Sequence, residues 1–125
     1  MAPNQISGAI VDAAYRIHSK LGPGLFESVY ESILAAELTN RGLQVIRQHP
    51  VPVIYEGQEF QIAFRADLLV NDTVICELKS VEAINPVHKK QLLTYLRLAN
   101  KPLGLLINFN VALIKDGITR IVNNL

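Results

Sequence analysis

Asp67, Glu77 and Lys79 interrupt two otherwise apolar runs, FRADLLV over 64–70 and TVICELKS over 73–80. A carboxylate or ammonium carried into a sheet core must be paired, hydrogen-bonded or metal-bound, because desolvating it otherwise costs several kcal/mol. Two acids and a lysine in such surroundings point to a site that binds a metal and a phosphate.

Strand periodicity decides whether the three can meet, since alternate side chains share a face. Glu77 and Lys79 then point one way and Val74, Cys76 and Leu78 the other. On the preceding run Arg65 and Asp67 oppose Ala66, Leu68 and Val70. If the two runs form a hairpin, Asp67 falls opposite Glu77, and Arg65 opposite Lys79, only with the three-residue loop Asn71-Asp72-Thr73. A two-residue loop would put the acids on opposite faces. Directly opposed residues have Cβ atoms about 5 Å apart, close enough for two carboxylates to share a divalent cation. Such a site therefore requires an odd loop or a bulge.

The elements that must carry these residues are legible from periodicity. Ile6, Ile10, Val11, Ala14, Ile17 and Leu21 recur at helical spacing and stop at Gly22-Pro23-Gly24. A second helix is predicted from about Phe26 to Arg41, with Val29, Ile33, Leu34 and Leu38 inward and Gly42 as its stop. Leu43 to Gln48, Val51 to Tyr55, Phe60 to Val70 and Thr73 to Lys79 read as strands joined as antiparallel hairpins, with turns at Glu56-Gly57 and Asn71-Asp72. Asn85-Pro86 has the form of an N-cap followed by proline at the first helical position. It opens a third helix with Leu92, Leu96 and Ala99 inward. Leu103 to Phe109 is an unbroken apolar run, as expected of a central strand covered on both faces, and Ile118 to Val122 fits a short last strand. The predicted order is ααββββαβ(β), a mixed sheet flanked by helices.

Composition narrows the classes. A chain of 125 residues, 50% hydrophobic and 18% charged, is expected to form one globular domain over 1–125 with a single core. The net charge of +1 argues against a protein that coats nucleic acid nonspecifically. Cys76, the single cysteine, lies on the apolar face of its strand and offers neither disulfide nor zinc framework. A cytoplasmic, soluble protein is the expectation, with no signal peptide and no run near the roughly 20 apolar residues a membrane span needs. Nothing reads bases: there is no recognition helix, zinc finger or aromatic stacking platform.

Gly24-Leu25-Phe26-Glu27-Ser28-Val29-Tyr30 fits a GxxExxY signature, and with FRADLLV, ELK and HKKQLLTYL it resembles the GxxExxY family of the PD-(D/E)XK nuclease superfamily over nearly the whole chain. Ala66 stands where the proline of the superfamily's name would be. The resemblance implies a restriction-endonuclease-like fold of the α/β class (α+β type). It makes Asp67 and Glu77 metal ligands together with the main-chain carbonyl of Leu78, and Lys79 the catalytic lysine. Glu27 would complete the acidic cluster directly or through water. Gln91 and Tyr95, with His88 three residues before Gln91, share one stripe of the third helix that can face the acids. The chemistry implied is hydrolysis of nucleic-acid phosphodiesters, DNA ahead of RNA, with Mg²⁺ or Mn²⁺. A homo-oligomer or protein partner is a further expectation.

Each residue also has a plainer reading. Asp67 and Glu77 could form a cross-strand charge ladder with Arg65 and Lys79. Glu27 could serve the helix dipole. Tyr30 could bind substrate or belong to the core, and Arg65 could hold a phosphate or pair with Asp67. Lys89 and Lys90 read as a solvated helix face, although Lys90, beside Gln91, could touch a nucleic-acid backbone. His88 has no zinc partner in view, and Asn108 and Asn110 are expected to satisfy local backbone groups. Two functions follow: a metal-dependent nuclease, or a nucleic-acid-binding or protein-interaction module that keeps the fold without cleaving.

Overall fold

The computed structural model describes residues 1–125, apart from the side chains of Ile62 and Ala63. Two helices, α1 (Pro3–Leu21) and α2 (Glu27–Asn40), precede strands β1 (Val45–Tyr55), β2 (Gln58–Val70) and β3 (Val74–Lys79). Helix α3 (Pro86–Ala99) leads to β4 (Leu103–Asn108), a 3₁₀ turn (Ile114–Gly117) and β5 (Ile118–Val122). The strands form one sheet in sequence order, antiparallel throughout except for the parallel pair β3 and β4, which α3 connects.

Alternation along the central strands sorts the core into two layers. Val74, Cys76, Leu78, Leu103, Leu105 and Ile107 pack under α1 and α2, whereas Leu69, Ile75 and Leu106 pack under Leu92 and Leu96 of α3. Burial of every residue of β4 matches its unbroken apolar run. Gly104 lets α3 approach, for a Cβ there would stand 3.0 Å from a Leu92 methyl.

The Asn71 loop has three residues, as the parity argument demands. Val70 pairs with Val74, and Asn71 and Asp72 both take positive φ, 49° and 52°. The Thr73 amide and hydroxyl close the turn on the carbonyls of Val70 and Asn71.

Several expectations need correction. The segments Leu43 to Gln48 and Val51 to Tyr55 are one continuous strand, β1, so the order is ααβββαββ and not ααββββαβ(β). Pro50 and Pro52 are tolerated because β1 lies at the sheet edge, and the register shifts between Val51 and Val53. Val29 and Leu21, expected inward, are exposed, and Tyr30, Glu31 and Ala35 join Leu34 and Leu38 on the buried face of α2. Ala66 joins the α3 layer and not the opposite one.

Candidate active site

Main-chain pairing between β2 and β3 runs only from Val70–Val74 to Leu68–Cys76. At the next position two carboxylates take over. The Asp67 N–H donates to Glu77 Oε2 at 2.8 Å, and the Leu78 N–H donates to Asp67 Oδ2 at 2.9 Å. The strands part here, β2 staying with β1 to the hairpin tip and β3 staying with β4 as far as Lys79. The register of the turn thus brings Asp67 and Glu77 together, and the acids satisfy amides that would otherwise lose their partners in a buried place.

Burial dominates the electrostatics. Glu77 is 9% exposed. Desolvation, reinforced by the charge of Asp67, pushes its carboxyl up to about 8, against the opposing pull of the Asp67 amide and Lys79. Asp67 is also raised, first by burial and then by the charge of Glu31, while the Leu78 amide, Gln48 and Lys79 pull the other way. Among the described residues neither acid is ion-paired, so the charge ladder with Arg65 and Lys79 does not form.

Glu31 is the acid that sequence reading missed. It is buried on α2, its Oε2 accepting from Arg47 Nε and Nη2 at 3.1 and 3.0 Å and its Oε1 accepting from Gln48 Nε2 at 2.6 Å. Gln48 Nε2 also reaches Asp67 Oδ1 at 3.3 Å. Gln48 has φ 51°, a left-handed backbone inside a strand, and its pairing partner in register would be Asp67. The available signal was spacing: Glu31 follows Glu27 by four residues and so shares its side of the helix.

The remaining predicted residues divide. Lys79 is partly exposed at the end of β3, and its charge is felt by both acids. Glu27 Oε1 accepts from the Ser80 N–H at 3.2 Å. It therefore lies beside the lysine, but among the described residues no three His, Cys, Asp or Glu side chains converge as a metal-holding group. On α3, Tyr95 stacks on Phe64 with centroids 3.6 Å apart. Its hydroxyl is raised by burial and by the charges of Glu77 and Asp67, while a hydrogen bond from Gln91 opposes this. Tyr95 is thus within electrostatic reach of the acids, whereas Gln91 is exposed. Lys90 and Arg65 are exposed.

Tyr30 is corrected as a substrate contact. It is fully buried and stacked on Phe109, with its hydroxyl donating to the Gly22 carbonyl at 2.6 Å and accepting from the Leu25 N–H at 3.2 Å. His88 Nδ1 accepts from the Asn85 N–H and so caps α3. Asn108, 2% exposed, exchanges hydrogen bonds with the Val81 backbone.

With the acids, the lysine and the mixed sheet in place, the comparisons agree with the geometry. The sequence profile of the PD-(D/E)XK nuclease superfamily matches residues 4–121, and the chain belongs to that superfamily. No curated protein and no solved structure matches it. The α+β architecture is consistent with a PD-(D/E)XK nuclease-like fold, and membership points to nuclease-type function on nucleic acid. Superfamily members generally use divalent metal ions. Among the described residues no helix is long and apolar enough to cross a membrane.

Proposed function

We propose that the chain is a nuclease of the GxxExxY type that hydrolyses nucleic-acid phosphodiesters with Mg²⁺ or Mn²⁺. The observation that carries this reading is the pair of buried carboxylates seated where β2 and β3 part. Their donors fit the group: hard oxygens, few in number, each disfavoured as a bare anion by burial and by a neighbouring carboxylate, Asp67 for Glu77 and Glu31 for Asp67. Mg²⁺ is commonly held by one or two carboxylates, with waters and substrate phosphate completing its shell. Asp67, Glu77 and the Leu78 carbonyl would hold it, and Glu27 would act through water. Bound there, the cation would make a water acidic enough to attack and offset charge on the phosphate.

The protein's own groups supply the rest. Lys79, partly exposed beside both acids, orients the attacking water or contacts the phosphate oxygens as negative charge grows on them. Gln91 and Tyr95, on the helix over this face of the sheet, would fix the position of the lysine, water or substrate. Arg65 and Lys90 are available to phosphates farther along the strand. The test is a cleavage assay on single-stranded, duplex and branched DNA and RNA with Mg²⁺ and with Mn²⁺, the Lys79→Ala protein run in parallel. Cleavage by the parent that falls at least about 100-fold in Lys79→Ala supports the reading. Equal rates would mean that the activity belongs to a contaminant or that Lys79 is structural.

One observation favours the alternative of a non-cleaving interaction module. The β1–β2 hairpin continues past the acids and exposes Ile54, Tyr55 and Phe60, at 66%, 65% and 47%. Binding of a protein partner or a second copy without cleavage in any arm would select it.

A further inference from the structure

Phe26 is 81% exposed, the most exposed aromatic side chain among the described residues. It immediately precedes Glu27, whose carboxylate is bound to the Ser80 amide one residue beyond Lys79. An open cavity of about 580 Å³ lies there, between the Gly24–Ser28 segment and Ser80. The exposure is not that of a loose loop. Tyr30 ties Gly22 and Leu25 together through its hydroxyl, and Ser80 Oγ donates to the Leu25 carbonyl at 2.7 Å. Side chains from the core and from the end of β3 therefore hold this segment while Phe26 faces water.

We infer that Phe26 is a stacking platform for one unpaired base of the substrate, so that the nuclease acts on single-stranded nucleic acid. The inference rests on the nuclease reading above. A base inside a duplex has both faces covered by its neighbours, so only an unstacked base can lie on a ring fixed to the wall of the cleft. The net charge of +1 gives little general attraction to phosphates, and stacking is a source of affinity that needs no basic surface. The sequence showed no aromatic platform because one phenylalanine at the start of a helix carries no spacing signal, and only the fold shows it exposed.

The chain contains no tryptophan, so Phe26→Trp installs a single fluorescent reporter on the proposed platform. Binding would be measured in the cleavage-silenced Lys79→Ala background with oligothymidylate, oligouridylate and a blunt duplex, and cleavage by the parent would be measured separately. We expect the single strands to bind more tightly than the duplex and to quench the tryptophan. Phe26→Ala should weaken single-strand binding by about 5- to 150-fold, the worth of one stacked base, while Phe26→Trp keeps the affinity. The two oligonucleotides show which sugar is preferred. Unchanged binding by Phe26→Ala, an unquenched reporter on a bound strand, or equal quenching by the duplex would overturn the inference and leave the nuclease reading standing if the parent cleaves. If the parent neither binds nor cleaves, both fall.

Discussion

Replacing Glu77 by glutamine separates the stability effect of the acid pair from its chemistry. The native carboxyl titrates at about 8 against an ordinary value of 4.5, with burial the larger cause and Asp67 the second. Between those two values the native state holds a proton that the unfolded chain has released. Stability therefore falls as pH rises from about 4.5 and levels off above about 8. At 1.36 kcal/mol per pH unit the gap sets a ceiling of roughly 3–5 kcal/mol, lowered by water in the cleft. Glutamine keeps an oxygen that can accept from the Asp67 amide and has nothing to ionise. Urea unfolding of the parent and Glu77→Gln from pH 5 to pH 9 should show the two converging at the acid end. At the alkaline end the variant should be more stable by about 1 kcal/mol or more. Millimolar Mg²⁺ or Mn²⁺ should restore much of the parent's loss, since it binds the native acids alone, and should do little for the variant. A stability difference that does not change with pH would refute the argument that burial holds the Glu77 proton.

Further outcomes follow from single contacts. Gln91→Ala and Tyr95→Phe should each reduce any nuclease rate without removing it, because they position reacting groups and do not replace one; comparison with the parent at saturating substrate checks this. Tyr30→Phe removes the partner of the Gly22 carbonyl and the Leu25 amide and should lower stability by about 1–3 kcal/mol in urea unfolding. Gly117→Ala would drive a methyl into the Asn108 carbonyl at the end of β4. It should cost about 1–3 kcal/mol, and an unchanged melting temperature would show that the 3₁₀ turn can shift.

What could be read in advance was whatever depends on period and parity. The alternation of Val74, Cys76 and Leu78 against Glu77 and Lys79, and the odd length of the Asn71 loop, suffice to place the acids opposite each other. The solid apolar run of β4 declared a strand covered on both faces. What failed depended on tertiary context. Two prolines look like a break unless the strand is known to be an edge, as β1 is. Val29 looks apolar and inward, but the buried arc of α2 runs through Tyr30, Glu31 and Leu34. Glu31 itself was hidden because a glutamate on a helix ordinarily faces water. Only the fold brings Arg47 and Gln48 from β1 to receive it.

That neighbourhood bears on why the acids sit where they do. A sheet that splits leaves unpaired amides on both diverging strands, and in a buried place each would cost about as much as a lost hydrogen bond. Here the amides of Asp67 and Leu78 are each met by a carboxylate from the opposite strand. The opening in the ladder thus gives each acid one backbone amide donor, and Gln48 reaches the other oxygen of Asp67 at 3.3 Å. Removing either acid would leave an amide without its partner as well as take away a carboxylate. An amide isostere is therefore the cleaner probe of chemistry at this site: Asp67→Asn and Glu77→Gln should keep the fold where Asp67→Ala and Glu77→Ala lose part of it, and both isosteres should lose the response to divalent metal. Isosteres and alanines of equal stability in urea unfolding would show that the acids do not support the split.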